Sequence, residues 1–175
     1  MFESIKYLQK GNQKRAYQAI SELDIMKHLA AYNPILCGTL PIGIDIACSD
    51  LDIIMEVDEF ERFEEQVREL YGNQQNFKVK KLHIRENPVI KANFWFSGFE
   101  FELFGQALPV KEQNAYLHMV IEDAVMKRHP SIKKEVIELK EKGWKTEPAF
   151  CKVLQLEEGD PYKELINYGK NTGFI

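Results

Sequence analysis

The spacing of apolar residues changes twice along this chain, from a helical period to a strand period and back. Ala16, Ile20, Leu23, Met26 and Leu29 recur every three or four residues with Lys, Gln and Glu between them, which predicts one helix over 12–31. Asn33-Pro34 ends it, because the residue before proline avoids helical backbone. "ILCG" then reads as a short buried strand stopped by Gly38. "LDIIMEV", residues 51–57, is rich in β-branched and apolar residues and predicts an interior strand. Asp58 is expected to cap a helix over "EFERFEEQVRELYG", with Phe60, Phe63, Val67 and Leu70 facing inward and Gly72 as its stop. From 76 to 104 the pattern turns to strands, in "NFKVKKLHI", "VIKANFWF" and "FEFELFG", with Ser97-Gly98 as the turn between the last two. Beyond Pro109 helical spacing returns in "KEQNAYLHMVIEDAVMKR", "SIKKEVIELKEKG", "EPAFCKVLQL" and "PYKELINYG", separated by Pro or Gly. The order predicts an α/β (α+β) fold, with a core over 1–109 and a helical C-terminal part over 110–175 packed on it as one compact unit.

Composition narrows the setting. The 175 residues are 45% hydrophobic and 29% charged, the profile of an ordinary soluble globular domain. With 27 acidic against 23 basic residues the net charge is −4, which excludes a general nucleic-acid coat but leaves room for a local basic patch. Cys37, Cys48 and Cys151 are odd in number and lack zinc-ligand spacing, so they read as reduced, small, buried apolar residues. The first 18 residues are too polar for a secretory leader, and no apolar run is long enough to cross a bilayer. A cytoplasmic protein with no membrane partner is the expectation. Trp144, following Gly143, is expected to anchor the C-terminal helices.

The unusual chemistry sits at "CGTLPIGIDIACSDLDIIMEV", residues 37–57. Side chains alternate along a strand, so Asp50 and Asp52 are expected on one face. Two carboxylates held side by side raise each other's pKa unless a cation lies between them, and a hard divalent ion such as Mg²⁺ suits oxygen ligands. The competing reading is a strand that simply starts in solvent, with Ser49-Asp50 as turn residues. A second acidic strand argues for the first reading. In "FEFELFG", Glu100 and Glu102 share one face while Phe99, Phe101 and Leu103 share the other. Were this strand to lie beside "LDIIMEV", one glutamate would complete a three-carboxylate set able to hold two metal ions. Gly38 allows backbone N–H groups to approach a phosphate, and Thr39 adds a hydroxyl.

The spacing of these residues resembles the nucleotidyltransferase superfamily of the DNA polymerase β type, whose small bacterial members carry G-S-x-x-x-G-x-x-x-x-x-S-D-h-D, with h apolar. Gly38, Thr39, Gly43, Ser49, Asp50, Leu51 and Asp52 fall at the same offsets, with Thr in place of Ser. "GTLPIGIDIACSDLDI", "FELFGQ" and "AYLHMVIEDA" are also similar to an uncharacterised bacterial family assigned to that superfamily. The resemblance implies a nucleotidyltransferase-like mixed sheet flanked by helices. It further implies Mg²⁺-dependent transfer of a nucleoside monophosphate from a nucleoside triphosphate to a hydroxyl. The acceptor is left open: a small molecule, a protein side chain or an RNA end. Gly38, Thr39, Ser49 and Lys91 would bind nucleotide. Asp50 and Asp52 would ligate two Mg²⁺ ions together with a third acid, Glu102, with Glu100 as its rival. Two departures stand out. Ile42 occupies a position that is often basic, and a glutamate supplies the acid that is usually aspartate. A non-catalytic module that keeps the fold and senses a nucleotide or partner is the alternative.

Four cations, Lys80, Lys81, Arg85 and Lys91, lie in or near the strand cluster as phosphate candidates. His118 and Glu122, four apart, are expected to form a pair on one helical face. Gln106 and Gln113 are expected as polar surface.

Overall fold

The computed structural model describes residues 11–85, 87–156 and 159–175. The N-terminal segment read above as too polar for a leader therefore lies, as far as residue 10, outside them. The described chain runs α1 (Asn12–Glu22), α2 (Ile25–His28), β1 (Ile35–Cys37), β2 (Leu51–Glu56), α3 (Phe60–Tyr71), β3 (Gln75–Ile84), β4 (Asn87–Phe96), β5 (Phe99–Gln106), α4 (Asn114–Arg128), α5 (Ile132–Glu141), α6 (Thr146–Leu154) and α7 (Pro161–Asn171). The expected α/β (α+β) class is what forms: a mixed five-stranded sheet with helices against it.

The helix expected over 12–31 is broken in two. Leu23 caps α1, and Asp24 takes a left-handed conformation (φ 50°) before the chain re-enters helix. Apolar periodicity survives such a break because both pieces pack on the same core. Ala16, Ile20, Leu23, Ile25 and Leu29 are all buried. Helix α3 starts one residue later than the sequence suggests: Glu59, not Asp58, is the cap residue, and its side chain makes no capping hydrogen bond. At Ser97-Gly98 both residues have positive φ (50° and 82°), as a two-residue hairpin loop of the right twist requires.

Strand order is β1-β2-β5-β4-β3. Only β2 and β5 are parallel; they are the strands joined by the long excursion through α3, β3 and β4. One face packs against α1–α3. Leu51, Ile53 and Met55, Phe101 and Leu103, and Ile90, Ala92 and Phe94 all point there, with Tyr71, Phe94 and Phe101 stacked at ring separations of 5.3 and 5.1 Å. The opposite face divides. At β1 and β2 it is covered by α4–α7, where Cys37 and Ile54 join a second core with Met119, Ile121, Val125, Val136, Phe150 and Leu165. Helix α4 buries His118, Met119, Ile121, Glu122, Val125 and Met126, which makes it the axis of this cluster. Toward β4 and β3 the same face is open. Glu100, Glu102, Lys91 and Asn93 are partly buried there, and Trp95, Lys78 and Lys80 are exposed.

Among the described residues no helix is long and apolar enough to cross a membrane.

Candidate active site

The register of the sheet builds the site. Asp52 on β2 is paired directly with Glu102 on β5, Glu102 with Asn93 on β4, and Asn93 with Lys78 on β3. Paired residues share a face, so one rung of the sheet carries Asp52, Glu102, Asn93 and Lys78 in line. On the next rung Phe104 pairs with Lys91 and Lys91 with Lys80. The Lys91 ammonium crosses to the first rung and meets Glu102 Oε2 at 2.6 Å, both side chains being only 25% and 19% exposed. Asn93 Nδ2 reaches Glu100 Oε1 at 3.4 Å and Glu102 Oε2 at 3.5 Å. Glu102 is thus flanked by Asp52 and held by Lys91, whereas Glu100 is paired with Trp95 toward the hairpin turn.

Asp52 is the strained member. Burial, and then the charges of Asp50 and Glu102, push its carboxyl up to about 8, against the pull of Lys91. Glu147, in the first turn of α6, adds to this, which brings the C-terminal helices electrostatically into the site. Asp50 does not share the strand with Asp52. It lies in the exposed segment just before β2, one residue outside the strand, and its charge is the largest that acts on the Asp52 carboxyl.

Gly38 follows β1 with φ 76°, and a Cβ placed on it would collide with Asp52 Oδ2. The Asp52 carboxylate therefore lies against bare backbone at the start of the 38–50 loop. This loop is tied by its own polar groups. Thr39 O accepts from Ile44 N (3.1 Å), Ser49 Oγ accepts from Ile46 N (2.9 Å), and Thr39 Oγ1 is 3.3 Å from Ser49 Oγ. Thr39 and Ser49 thus hold each other across the loop. Ile42 is 8% exposed and packs in the second core. The loop is anchored there by hydrophobic burial.

A cleft of about 230 Å³ opens between this loop and the α5–α6 connection, lined by Thr39, Ser49, Asp50, Lys140, Trp144 and Lys145 among others. Trp144 is 43% exposed in it, which corrects its expected role as an anchor of the helices. Lys140 is nearly buried, donates to Ile44 O at 2.7 Å, and is pulled below the usual lysine pKa by burial. A larger polar depression of about 360 Å³, lined by Asn12, Gln13, Asp45, Asp123 and Lys133, lies on another flank of the loop and contains none of the predicted acids.

The remaining candidates separate. Lys81 points to the α3 face and is held by Glu61 (3.0 Å) and Glu64 (3.2 Å); Arg85 pairs with Asp160 (3.3 Å) and lies over Tyr162. His118 does not pair with Glu122. Its Nδ1 is 3.4 Å from Glu147 Oε1 and its Nε2 is 2.9 Å from Tyr162 O. Glu122 is buried and shifted well above the usual carboxylate range by that burial and by Glu147, with Lys140 opposing. Gln113, expected at the surface, is 1% exposed and donates to Met55 O and Leu108 O, both at 2.9 Å, tying the end of β2 to the start of the helical part. Cys48 is exposed, unlike Cys37 and Cys151.

Among the described residues no group of three or more His, Cys, Asp or Glu is already spaced around one metal position. The donor set nevertheless suits a hard divalent ion. It is all carboxylate oxygen, it concentrates negative charge around Asp52 and Glu102, and the balancing charge is the Lys91 ammonium.

Solved structures share this architecture. The Cid1 poly(U) polymerase with MgGTP bound aligns with a TM-score of 0.54 at 16% identity, over 79% of this chain and 45% of that one. The polymerase core of TRAMP, an RNA surveillance complex, aligns with a TM-score of 0.54 at 11% identity, over 92% and 50%. The GLD-2/RNP-8 complex aligns with a TM-score of 0.53 at 10% identity, over 85% and 59%. The chain spans about half the length of these proteins, and at such identities they establish the fold alone, a mixed sheet flanked by helices. No curated protein sequence matches this chain. The family described as "Domain of unknown function (DUF4269)" matches over residues 18–168, which take in the whole sheet, the acids and nearly all of the C-terminal helices, and the chain belongs to it.

Proposed function

We propose that this chain is a Mg²⁺-dependent nucleotidyltransferase, of the small bacterial type, that moves a nucleoside monophosphate from a nucleoside triphosphate to a hydroxyl. The observation that carries this reading is the direct pairing of Asp52 with Glu102 beside the bare backbone of Gly38. An acid pushed up to about 8 is a poor structural residue and a good ligand awaiting a cation. Structures of this fold have been solved with MgGTP and with other nucleotides bound, which supports the same chemistry here.

Asp50, Asp52 and Glu102 would hold the divalent ions, two if the site is complete. When bound, these would neutralise the triphosphate and ease deprotonation of the acceptor. The backbone at Gly38, with Thr39 and Ser49, would cradle phosphate oxygens. Lys140 and Lys145 line the adjoining cleft and favour negative charge there. Trp144 offers a face to the base. The acceptor oxygen attacks the α-phosphorus, the α–β bridging P–O bond breaks, pyrophosphate leaves, and Glu102 takes the hydroxyl proton. Lys91, released from Glu102, is placed to meet the negative charge that develops. Residues 1–109 and 110–175 act together in this reading, because the cleft is built from both. A cytoplasmic site of action, where nucleoside triphosphates and reduced thiols are found, fits it.

Incubation with each α-labelled nucleoside triphosphate, Mg²⁺ and a cell-derived acceptor pool tests the proposal. The expected result is label transfer with pyrophosphate release, abolished in Asp52→Asn. Nucleotide binding that is independent of metal and unchanged in Asp52→Asn would leave only a sensing module.

A further inference from the structure

The open part of the sheet face carries a second chemistry next to the acids. Beyond Glu102 the same face presents Asn93 and Lys91, then Lys78 and Lys80 on the edge strand, with Trp95 one rung toward the hairpin turn. Trp95 is 41% exposed although it sits in the middle of three strands, where an aromatic side chain normally has a helix over it. Neither Lys78 nor Lys80 has an ion-pair partner among the described residues, in contrast with Lys81 on the opposite face. In a chain of net charge −4, this is a local basic strip with an aromatic platform.

We propose that this strip, Trp95 with Lys78 and Lys80, is the acceptor platform, and that it receives the end of a single-stranded polynucleotide. The inference rests on the nucleotidyltransferase reading and names its acceptor class. Charge and spacing argue for this occupant. Lys78 and Lys80 stand about 7 Å apart along β3, a nucleotide-scale step, and lie about two strand spacings, roughly 10 Å, from Glu102 and the rung that carries it. One base stacked on Trp95 and two phosphates on the lysines would leave the terminal hydroxyl near Glu102, with Asn93 between them. Stacking platforms beside cationic strips are how single strands are held without sequence readout. The donor cleft at Thr39, Lys140 and Trp144 lies toward the C-terminal helices, so the two substrates approach the acids from different directions.

The test is fluorescence anisotropy with a labelled ten-nucleotide single-stranded RNA, at several salt concentrations, without metal or nucleotide. Wild-type protein is expected to bind it. Trp95→Ala should weaken binding about 5- to 150-fold, the range of one lost base stack. Lys78→Ala/Lys80→Ala should flatten the dependence of log affinity on log salt by about 1.4, from roughly 0.7 per phosphate contact. Both variants alter exposed side chains and should keep the wild-type melting temperature and Mg²⁺–nucleotide binding. Asp52→Asn should bind the RNA as wild type does. Absence of RNA binding, binding unaffected by these substitutions, or equal binding of a polyglutamate peptide would overturn the proposal. If Mg²⁺–nucleotide binding persists in that event, only the acceptor inference falls; if it is absent as well, the transferase reading falls with it.

Discussion

Replacing Asp52 with asparagine should make the protein more stable and inactive at once. In the folded state burial and the Asp50 and Glu102 charges raise the carboxyl to about 8, whereas in the unfolded chain it returns to an ordinary 3.8. Between those two values the folded state holds a proton that the unfolded state has lost. Stability from this group is therefore complete below about pH 4 and is lost as pH rises through 8. At about 1.4 kcal/mol per pKa unit the ceiling on the cost is about 6 kcal/mol. Water reaching the partly open site, described by an effective dielectric of about 20, brings the expected cost to about 1–3 kcal/mol. Asparagine keeps the shape and never ionises, so the variant should match wild type near pH 4.5 and exceed it by this amount at pH 8.5. With an m-value of about 1–3 kcal/mol/M, urea midpoints should separate by about 1 M at the higher pH. Free Mg²⁺ at ten times its dissociation constant should return about 1.4 kcal/mol to wild type and nothing to the variant. The difference between the two proteins isolates Asp52 from Glu122 and Lys140, which also titrate in the interior. Equal midpoints across the pH range, or a less stable variant at pH 8.5, would show that Asp52 carries no such burden in the folded protein.

Other substitutions probe the remaining links. Gly38→Ala forces a side chain into left-handed backbone and against Asp52; a loss of about 1–2 kcal/mol is expected by urea unfolding, with transfer activity reduced far more than stability. Glu102→Gln should abolish labelled-nucleotide transfer and Glu100→Gln should spare it, and the reverse outcome would reassign the third acid. Lys91→Met removes the cation that balances Glu102 and Asp52, so KM for the nucleotide should rise and the pH at which wild type loses stability should move upward, both readable in steady-state assays and pH-dependent melts. Gln113→Ala leaves Met55 O and Leu108 O without their buried donor, and should cost about 1–3 kcal/mol in a urea titration without changing nucleotide binding.

The sequence carried the sheet strands well because their signals are local. Alternation of Phe99, Phe101 and Leu103 with Glu100 and Glu102 dictates which face meets the core, and Ser97-Gly98 dictates the hairpin. The condition on which the carboxylate set rested, that "FEFELFG" lie beside "LDIIMEV", holds in the sheet, where Asp52 pairs with Glu102. What was hidden depends on long-range placement. Asp24 breaks a helix without disturbing its apolar period, since both fragments face one core. Asp50 leaves the strand because pairing begins only at Leu51, a matter of register that alternation does not encode. Glu147 and Lys140 come near the acids through the packing of α5 and α6, and Lys140 is held by Ile44 O, 96 positions away in the chain. The only sequence sign of that cleft was Trp144, a large aromatic beside a glycine, which reads as a core anchor until its exposure is known.

In the proposed function the Asp52–Glu102 pair beside Gly38 is a metal and phosphate site. A crystal grown with Mn²⁺ and a non-hydrolysable nucleoside triphosphate tests it most directly, through the anomalous signal of the metal. A manganese peak is expected within ligand distance of Asp52 and Glu102, with the triphosphate against the Gly38–Thr39 backbone and Lys91 withdrawn from Glu102. A peak elsewhere, or nucleotide bound with Lys91 still closed on Glu102 and no metal beside Asp52, would contradict it.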